Sequence, residues 1–314
     1  MVVLDRASDM SGHQPHIGIV TGEKTPELTP DGQAVMSELR RRGFVTEPVR
    51  WTDTFENWSA FDVLLVRSCW EYYQKPNSFR QWLAERADAV VLNDPEVIRW
   101  NMHKFYLRDL VEAGVSAVPT AYVECGSDVT LDALATSRGW TDVVVKPAIG
   151  TSSHDVWRAT NPFSADAEQR FQTHATENDL LVQQFAPEIT DGELSFVFFA
   201  GEFSHASRSV PDVGEFRAHH SFGAVSEQFD PSRQLVTQAS NVLQTASDVL
   251  PVDVTELVYA RVDGLERNGE FELLEFELIE PYLGLSRDEN AVETFVDAID
   301  AALDRRARTL TRGP

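Results

Sequence analysis

Lysine, cysteine and long apolar runs are scarce in this chain of 314 residues. Its 27 basic residues comprise 23 Arg and only four Lys, against 50 Asp and Glu, and the net charge is −23. So little positive charge argues against nucleic acids and anionic membranes as partners, because contact with phosphates needs a basic surface. No apolar run approaches the ~18 residues of a membrane span.

The two cysteines, Cys69 and Cys125, lack the spacing and the neighbours of a metal site. The N-terminal residues lack the basic start and apolar run of a secretory signal, so we expect a cytoplasmic protein without a structural disulfide. The excess of acids over lysines is typical of proteins from salt-loving (halophilic) organisms, in which salt screens self-repulsion. An ordinary acidic protein from a GC-rich genome is the alternative.

Alternating strands and helices predict a parallel α/β unit over residues 16–95. It begins with a buried strand, HIGIVT (16–21), and a helix that starts near Pro30 and stops at Gly43. Residues 1–15 are polar and aperiodic, and we expect a flexible tail there.

The second region, 96–310, changes character at Gly192. Short strands alternate with helices over about 115–185, whereas long strands dominate from about 190 to 310. This indicates a more antiparallel α+β region. The predicted fold class is therefore α/β and α+β.

The segment 259–281, YARVDGLERNGEFELLEFELIEP, predicts a hairpin that turns at Asn268–Gly269. Asp263 lies on its first strand, and Glu275 and Glu277 share one face of the second. Carboxylates on one face among apolar residues repel one another and lose hydration, and a divalent cation relieves both effects. Oxygen ligands favour Mg²⁺ or Mn²⁺. The alternative is a solvated strand face of an acidic protein.

Two of the four lysines lie in segments that suit phosphate binding. Lys146 ends the apolar strand DVVVKP and precedes the small-residue loop AIGTSS, where backbone amides and an ammonium can bind oxyanions. Lys104 lies in RWNMHKFYL, near the start of a predicted helix, and an ordinary surface lysine is its alternative. The loop does not match the P-loop pattern.

Arg67 and Ser68 follow the strand FDVLLV, at the end where ligands bind to open parallel sheets. Arg67 is therefore a candidate partner for a substrate carboxylate, and a structural ion pair is the alternative. Arg208, in FSHASRS, is a further candidate for the substrate site. His219 and His220 are candidate proton carriers or structural residues.

Taken in order, these motifs resemble the ATP-grasp superfamily. The features that carry the resemblance are the strand-end Lys before a small-residue loop, the hinge strand LVQQFAPEI, and Asp and Glu-x-Glu on late strands. The resemblance spans about residues 16–300, and within the superfamily the chain is similar to glutathione-synthetase-like enzymes. The segments VRSCWEYYQKPNSFRQWL and VIRWNMHKFYLRDL most resemble the cyclo-ligases of D-cycloserine biosynthesis, which close O-ureido-D-serine.

The resemblance implies a pre-ATP-grasp substrate unit (16–95) and a two-lobed ATP-grasp domain (96–310), with a small lid lobe at about 115–185 and a metal-binding lobe at about 190–310. ATP and Mg²⁺ (or Mn²⁺) are the implied cofactors. Lys104 and Lys146 would bind the phosphates, and Gly150, Ser152 and Ser153 would cover them. Gln184, Phe185 and Ala186 would line the adenine, and Glu193 would hold the ribose. Those that would hold the metal are Asp263, Glu275 and Glu277. Those that would face the phosphoryl group or a substrate carboxylate are Arg217 and Arg261.

Three positions depart from the family pattern. Glu277 stands where relatives commonly have Asn, Ser195 where many have Arg, and His154 where a small residue is common. These departures concern the acceptor substrate more than the metal and phosphate sites.

The implied activity is that of an ATP-dependent ligase. A carboxyl-type group of a small amino-acid-like substrate attacks the γ-phosphate, and an amine then displaces phosphate from the acylphosphate, within one molecule in a cyclo-ligase. Open alternatives are a small-molecule kinase, an amino-acid ligase acting on a protein tail, and a non-catalytic nucleotide-binding module. A homo-oligomer is also an expectation, because relatives are often dimers or tetramers.

Overall fold

The computed structural model describes residues 14–54, 56–86 and 89–311. The flexible tail expected at residues 1–15 lies, up to residue 13, outside the described part. No helix in these ranges is both long and apolar enough to cross a membrane.

The N-terminal unit is a four-stranded parallel sheet in the order β2-β1-β3-β4, as predicted. Its helices and strands are β1 (His16–Thr21), α1 (Pro30–Arg41), β2 (Val45–Arg50), β3 (Val63–Ser68), α2 (Pro76–Ala84) and β4 (Val90–Leu92). Helix α1 begins where the Thr29 side chain accepts a hydrogen bond from the Gly32 amide, with Pro30 at its first position. Cys69, directly after β3, is fully buried, and burial raises the pKa of its thiol.

The middle of the chain forms a second four-stranded sheet, in the order β5-β8-β6-β7, and all its pairs are antiparallel. Its elements are α3 (Pro95–Asn101), α4 (Tyr106–Glu112), β5 (Thr120–Val123), α5 (Leu131–Arg138), β6 (Asp142–Pro147), β7 (Trp157–Thr160), α6 (Ala165–Glu177) and β8 (Leu180–Gln184). The predicted helix that was to begin near Lys104 begins instead at Tyr106, and Lys104 lies in the turn between α3 and α4.

The third sheet has five antiparallel strands in the order β11-β10-β9-β12-β13. Its elements are β9 (Glu193–Phe199), β10 (Glu202–Val210), β11 (Val225–Phe229), α7 (Arg233–Val249), β12 (Tyr259–Arg267), β13 (Glu270–Glu277) and α8 (Ala291–Thr311). The predicted hairpin is confirmed, and both turn residues, Asn268 and Gly269, have positive φ. A shared apolar cluster joins α8 to α1, β1, β3 and β9, so the first and third sheets pack around one core.

Two buried asparagines fasten the ends of β12 and β13 to the preceding part of the chain. The Asn93 amide donates to the carbonyls of Tyr259 and Leu278 at 2.9 Å each, and its oxygen accepts from the Val258 amide at 2.7 Å. The Asn101 side chain accepts from the Leu278 amide at 2.7 Å. These bonds fix the backbone that carries the predicted carboxylates.

Replacing Asn93 with Ala is expected to lower the free energy of unfolding by about 3 kcal/mol, because three buried backbone groups lose their partner. Urea denaturation measures the change. The exposed helix residue Asn241 is the control, and Asn241→Ala is expected to be neutral or slightly stabilising. Equal effects from the two substitutions would show that the Asn93 bonds do not hold this junction.

Candidate active site

A cavity lies between the second and third sheets and reaches the segment after β3. The segment after β3 contributes Tyr72, the second sheet Lys146 and Gln184, and the third sheet Glu193 and Asp263. Every residue predicted to bind nucleotide, metal or phosphoryl group lines it: Lys104, Lys146, Gly150, Ser152, Ser153, Gln184, Phe185, Ala186, Glu193, Arg217, Arg261, Asp263, Glu275 and Glu277. The fold thus gathers residues spread over more than 170 positions.

The carboxylates of the β12–β13 hairpin stand around Arg261. Asp263 is paired in register with Glu275, and Arg261 with Glu277. The Arg261 guanidinium donates to Asp263 at 2.9 Å through Nε and to Glu277 at 2.6 Å through Nη2. One fixed cation therefore holds carboxylates from both strands.

Both predicted phosphate-binding lysines are buried beside this hairpin. Lys104 Nζ lies 2.7 Å from Glu275 Oε1 and donates to the Gly150 carbonyl at 2.7 Å. Lys146 Nζ makes a longer contact, 3.5 Å, with the Leu274 carbonyl. The surface-lysine alternative for Lys104 is wrong, since Lys104 is only 8% exposed.

Burial acts differently on the two lysines. It lowers the pKa of Lys146, which has no directly bonded carboxylate. For Lys104 burial also lowers the pKa, but the adjacent Glu275 outweighs it and the net shift is upward. The charge of Lys104 is thus balanced by its ion pair with Glu275, whereas the charge of Lys146 is balanced less completely.

The carboxylates carry more negative charge than the cations offset. Burial, with repulsion from Asp263 and Glu275, raises the pKa of Glu193 to about 8. Burial also raises the pKa of Glu277 to about 7, although Arg261 opposes the shift. A divalent cation among these oxygens would relieve the repulsion.

The donor chemistry fits Mg²⁺, because the set consists of carboxylate oxygens. Across the described ranges no three acidic, His or Cys side chains are gathered closely enough to hold an ion as they stand. Arg261 and Lys104 bond to Asp263, Glu275 and Glu277 instead. A metal would therefore bind as these side chains turn away from their present partners.

The small-residue loop after β6 contacts the N-terminal unit across the cavity. Thr151 donates through its hydroxyl to the Trp70 carbonyl at 2.6 Å, and the rings of His154 and Tyr73 lie 4.8 Å apart. The loop therefore already covers one side of the cavity.

Arg217 reaches the cavity from the segment between β10 and β11. Its Nη2 lies 2.6 Å from Glu215 Oε2, and its guanidinium lies 3.5 Å from the Phe222 ring centroid. Hydrogen bonding to Arg217 lowers the pKa of Glu215 to about 2. Arg217 is thus held as a cation at the cavity wall.

The three predicted substrate residues are not among the side chains that line the described cavity. Ser68 Oγ lies 2.9 Å from Thr21 Oγ1, and Arg208 stacks over Phe229 with its Nε lacking a partner among the described residues. Their role in substrate binding stays a prediction.

Arg67 is buried behind the cavity. Its Nη2 donates to the Pro281 carbonyl at 2.9 Å, and its guanidinium lies 5.0 Å from the Tyr259 ring and 5.5 Å from the Phe295 ring. Nη1 has no hydrogen-bond partner within the described ranges. The bond that Arg67 makes is to a carbonyl, rather than the structural ion pair weighed above.

Sequence reasoning missed Glu280, a buried residue that lines the cavity beyond the end of β13. Its signal was present: a single acid follows the apolar pair Leu278–Ile279 and precedes Pro281.

Comparisons with known proteins agree with this architecture. Residues 17–93 match the family model described as the N-terminal domain of the D-cycloserine synthetase DcsG. The cycloserine biosynthesis protein DcsG of Streptomyces lavendulae is 28% identical over 294 residues, covering 90% of this chain and 97% of that protein. Glutathione synthetase of Pseudomonas aeruginosa is 26% identical over 143 residues, covering 45% of this chain and 43% of its own.

Solved structures give the same result. The crystal structure of D-cycloserine synthetase DcsG matches with a TM-score of 0.80 at 25% identity, covering 94% of this chain and 99% of that one. D-alanine–D-alanine ligase from Bacillus anthracis, complexed with ATP, matches with a TM-score of 0.66 at 16% identity, over 94% and 99% of the two chains, and shows the fold alone. The predicted fold class is confirmed. With its site residues assembled on this fold, the chain is a DcsG-like member of the ATP-grasp ligases.

Proposed function

We propose that this ligase uses ATP and Mg²⁺ to convert a carboxyl-type group of a small amino-acid-like substrate into an acylphosphate, with release of ADP. An amine then attacks the acyl carbon and displaces inorganic phosphate. One observation carries the proposal: buried and half-buried cations face the carboxylates of the β12–β13 hairpin, of which Asp263 is buried and Glu275 and Glu277 are half-buried, in a single cavity. Such a site can bind a polyphosphate with its metal and offset the charge that moves during phosphoryl transfer.

In this proposal the second sheet belongs to the lid lobe (about 115–185) and the third sheet to the metal-binding lobe (about 190–310). The nucleotide binds between the two sheets. Gln184, Phe185 and Ala186 bind the adenine where β8 leaves the lid lobe, and Glu193 holds the ribose. Lys146 binds the phosphates, since its ammonium is buried with only one long contact to a carbonyl. Lys104 joins it by exchanging part of its bond to Glu275 for phosphate oxygen.

Asp263, Glu275 and Glu277 hold the metal, which when bound neutralises phosphate charge during transfer. Arg261 faces the transferred phosphoryl group, and its contacts with Asp263 and Glu277 set the direction of its guanidinium. The loop that contains Gly150, Ser152 and Ser153 covers the phosphates. Its contact with Trp70 keeps water from the acylphosphate.

The first compound to test is O-ureido-D-serine, closed within one molecule. The full-length similarity to DcsG and the motifs shared with cyclo-ligases support this choice. Phosphate release from Mg-ATP is measured with this compound and with amino acids and dipeptide precursors, singly and in pairs. Free phosphate with a ring product supports cyclo-ligation, whereas a phosphorylated compound indicates a kinase. Release that needs two compounds indicates ligation between molecules.

Asp263→Asn and Glu275→Gln are each expected to lower Mg-ATP turnover by at least about 100-fold, because phosphoryl transfer depends on charge neutralisation by the metal. Titration with Mn²⁺, followed by electron paramagnetic resonance of the ion, measures metal binding independently of turnover. Glu272→Gln is the matched control on the same strand, since Glu272 pairs with Arg267 rather than lining the cavity. Normal metal binding and turnover in both test variants would refute the metal assignment.

Lys146→Ala is expected to weaken ATP binding about tenfold or more, because a charge-assisted contact to phosphate is lost from a buried site. Isothermal titration with a non-hydrolysable ATP analogue measures the change. Lys75→Ala, which removes an exposed lysine, serves as the control for overall charge. Equal affinities for the two variants would place the phosphates away from Lys146.

A further inference from the structure

Glu280 is a buried acid at the cavity whose carboxylate is only partly satisfied by the described part of the chain. It is 7% exposed, and its Oε2 has no hydrogen-bond partner within the described ranges. A carboxylate in such surroundings is costly unless a cation or a donor joins it. The oxygen is therefore available to a ligand.

The backbone around Glu280 is fixed from the N-terminal unit. Trp70 Nε1 donates to the Glu280 carbonyl at 2.9 Å, and Arg67 donates to the next carbonyl, that of Pro281, at 2.9 Å. These bonds use main-chain oxygens, so the carboxylate itself is not needed to hold the turn. Glu280 and Tyr72 line the cavity where it meets the segment after β3, at the carboxyl end of the parallel sheet.

The ligand that fits this position is a cation. The nearby Lys104 and Arg261 already bond to Glu275, Asp263 and Glu277. Lys104, Arg261 and Arg67 act on a negative charge at Glu280 by longer-range attraction, and Glu280 Oε2 has no hydrogen-bond partner among the described residues.

An organic ammonium fits better than a second metal. The oxygens proposed for the metal lie on the two strands, whereas Glu280 lies beyond the end of β13, toward the N-terminal unit. The guanidinium of Arg67, with an unpartnered Nη1, lies near enough to interact electrostatically with Glu280. Because Arg67 lies behind the cavity rather than in its lining, the charged group that this side of the cavity presents to a ligand is the Glu280 carboxylate, which matches an organic ammonium.

We infer that Glu280 binds the ammonium group of the amino-acid-like substrate and thereby selects amine-bearing compounds over analogues without the amine. This inference rests on the proposed function, because it names the recognition group of the same substrate site. It assigns Glu280 a part in substrate specificity that is separate from nucleotide and metal binding.

The test measures binding rather than turnover. Protein saturated with Mg²⁺ and a non-hydrolysable ATP analogue is titrated with D-serine, L-serine and O-ureido-D-serine. Each compound is compared with its deamino counterpart, in which hydrogen replaces the amine. The wild type is expected to bind the amine-bearing member of at least one pair about tenfold or more tightly. Glu280→Gln is expected to abolish that difference, and Glu280→Asp, which keeps the charge, to retain part of it.

Glu71→Gln is the matched control. Glu71 is equally buried, and its Oε2 likewise has no hydrogen-bond partner among the described residues. Its Oε1, however, accepts from the Glu23 amide and the Trp51 indole, and Glu71 is not among the residues that line the described cavity. This variant is expected to keep the wild-type preference for the amine.

Two results would overturn the inference: no preference in the wild type for any pair, or a preference that Glu280→Gln retains. A Glu280→Gln variant that loses Mn²⁺ affinity but keeps the amine preference would assign the carboxylate to the metal instead. ATP turnover, measured on the same protein variants in separate samples with ATP in place of the analogue, tests the proposed function independently. Selective binding without turnover would contradict the ligase mechanism and leave the role of Glu280 in place.

Discussion

The site depends on the crowding of buried and half-buried carboxylates on one hairpin, to which two side-chain cations of the described residues bond directly. Arg261 bonds to Asp263 and Glu277, and Lys104 bonds to Glu275. Like charges kept away from water are stable only with compensation, and here the compensation is incomplete. The same imbalance that costs stability in the free protein supports the proposal that a divalent cation binds there.

Such a cluster persists only if the surrounding backbone holds it. Asn93 and Asn101 bind main-chain groups at the ends of β12 and β13 and tie the hairpin to the first half of the chain. The apolar core shared by the first and third sheets holds the two sheets in a fixed relative position. The contacts that stabilise the hairpin thus lie behind the site and involve its backbone, so the carboxylate side chains can exchange partners.

The cavity has two chemically distinct ends. Toward the second sheet it offers Lys146 and the segment after β8, which suit a nucleotide. Toward the N-terminal unit it offers the carboxylate of Glu280, which suits the amine of a small substrate. A carboxyl group between these ends would lie beside Arg261 and the phosphates. The arrangement thus relates the choice of substrate to the position at which phosphoryl transfer takes place.

The sequence by itself determined the parallel N-terminal unit, the hairpin turn at Asn268–Gly269 and the hairpin carboxylates, because strand period and turn chemistry are local properties. Only the tertiary structure decided the antiparallel order of the second sheet, since alternating helices and strands leave strand direction open. It also placed Lys104 in a buried turn against Glu275 and left Glu280 Oε2 without a hydrogen-bond partner among the described residues. Burial and pairing depend on residues far apart along the chain, so local patterns cannot reveal them.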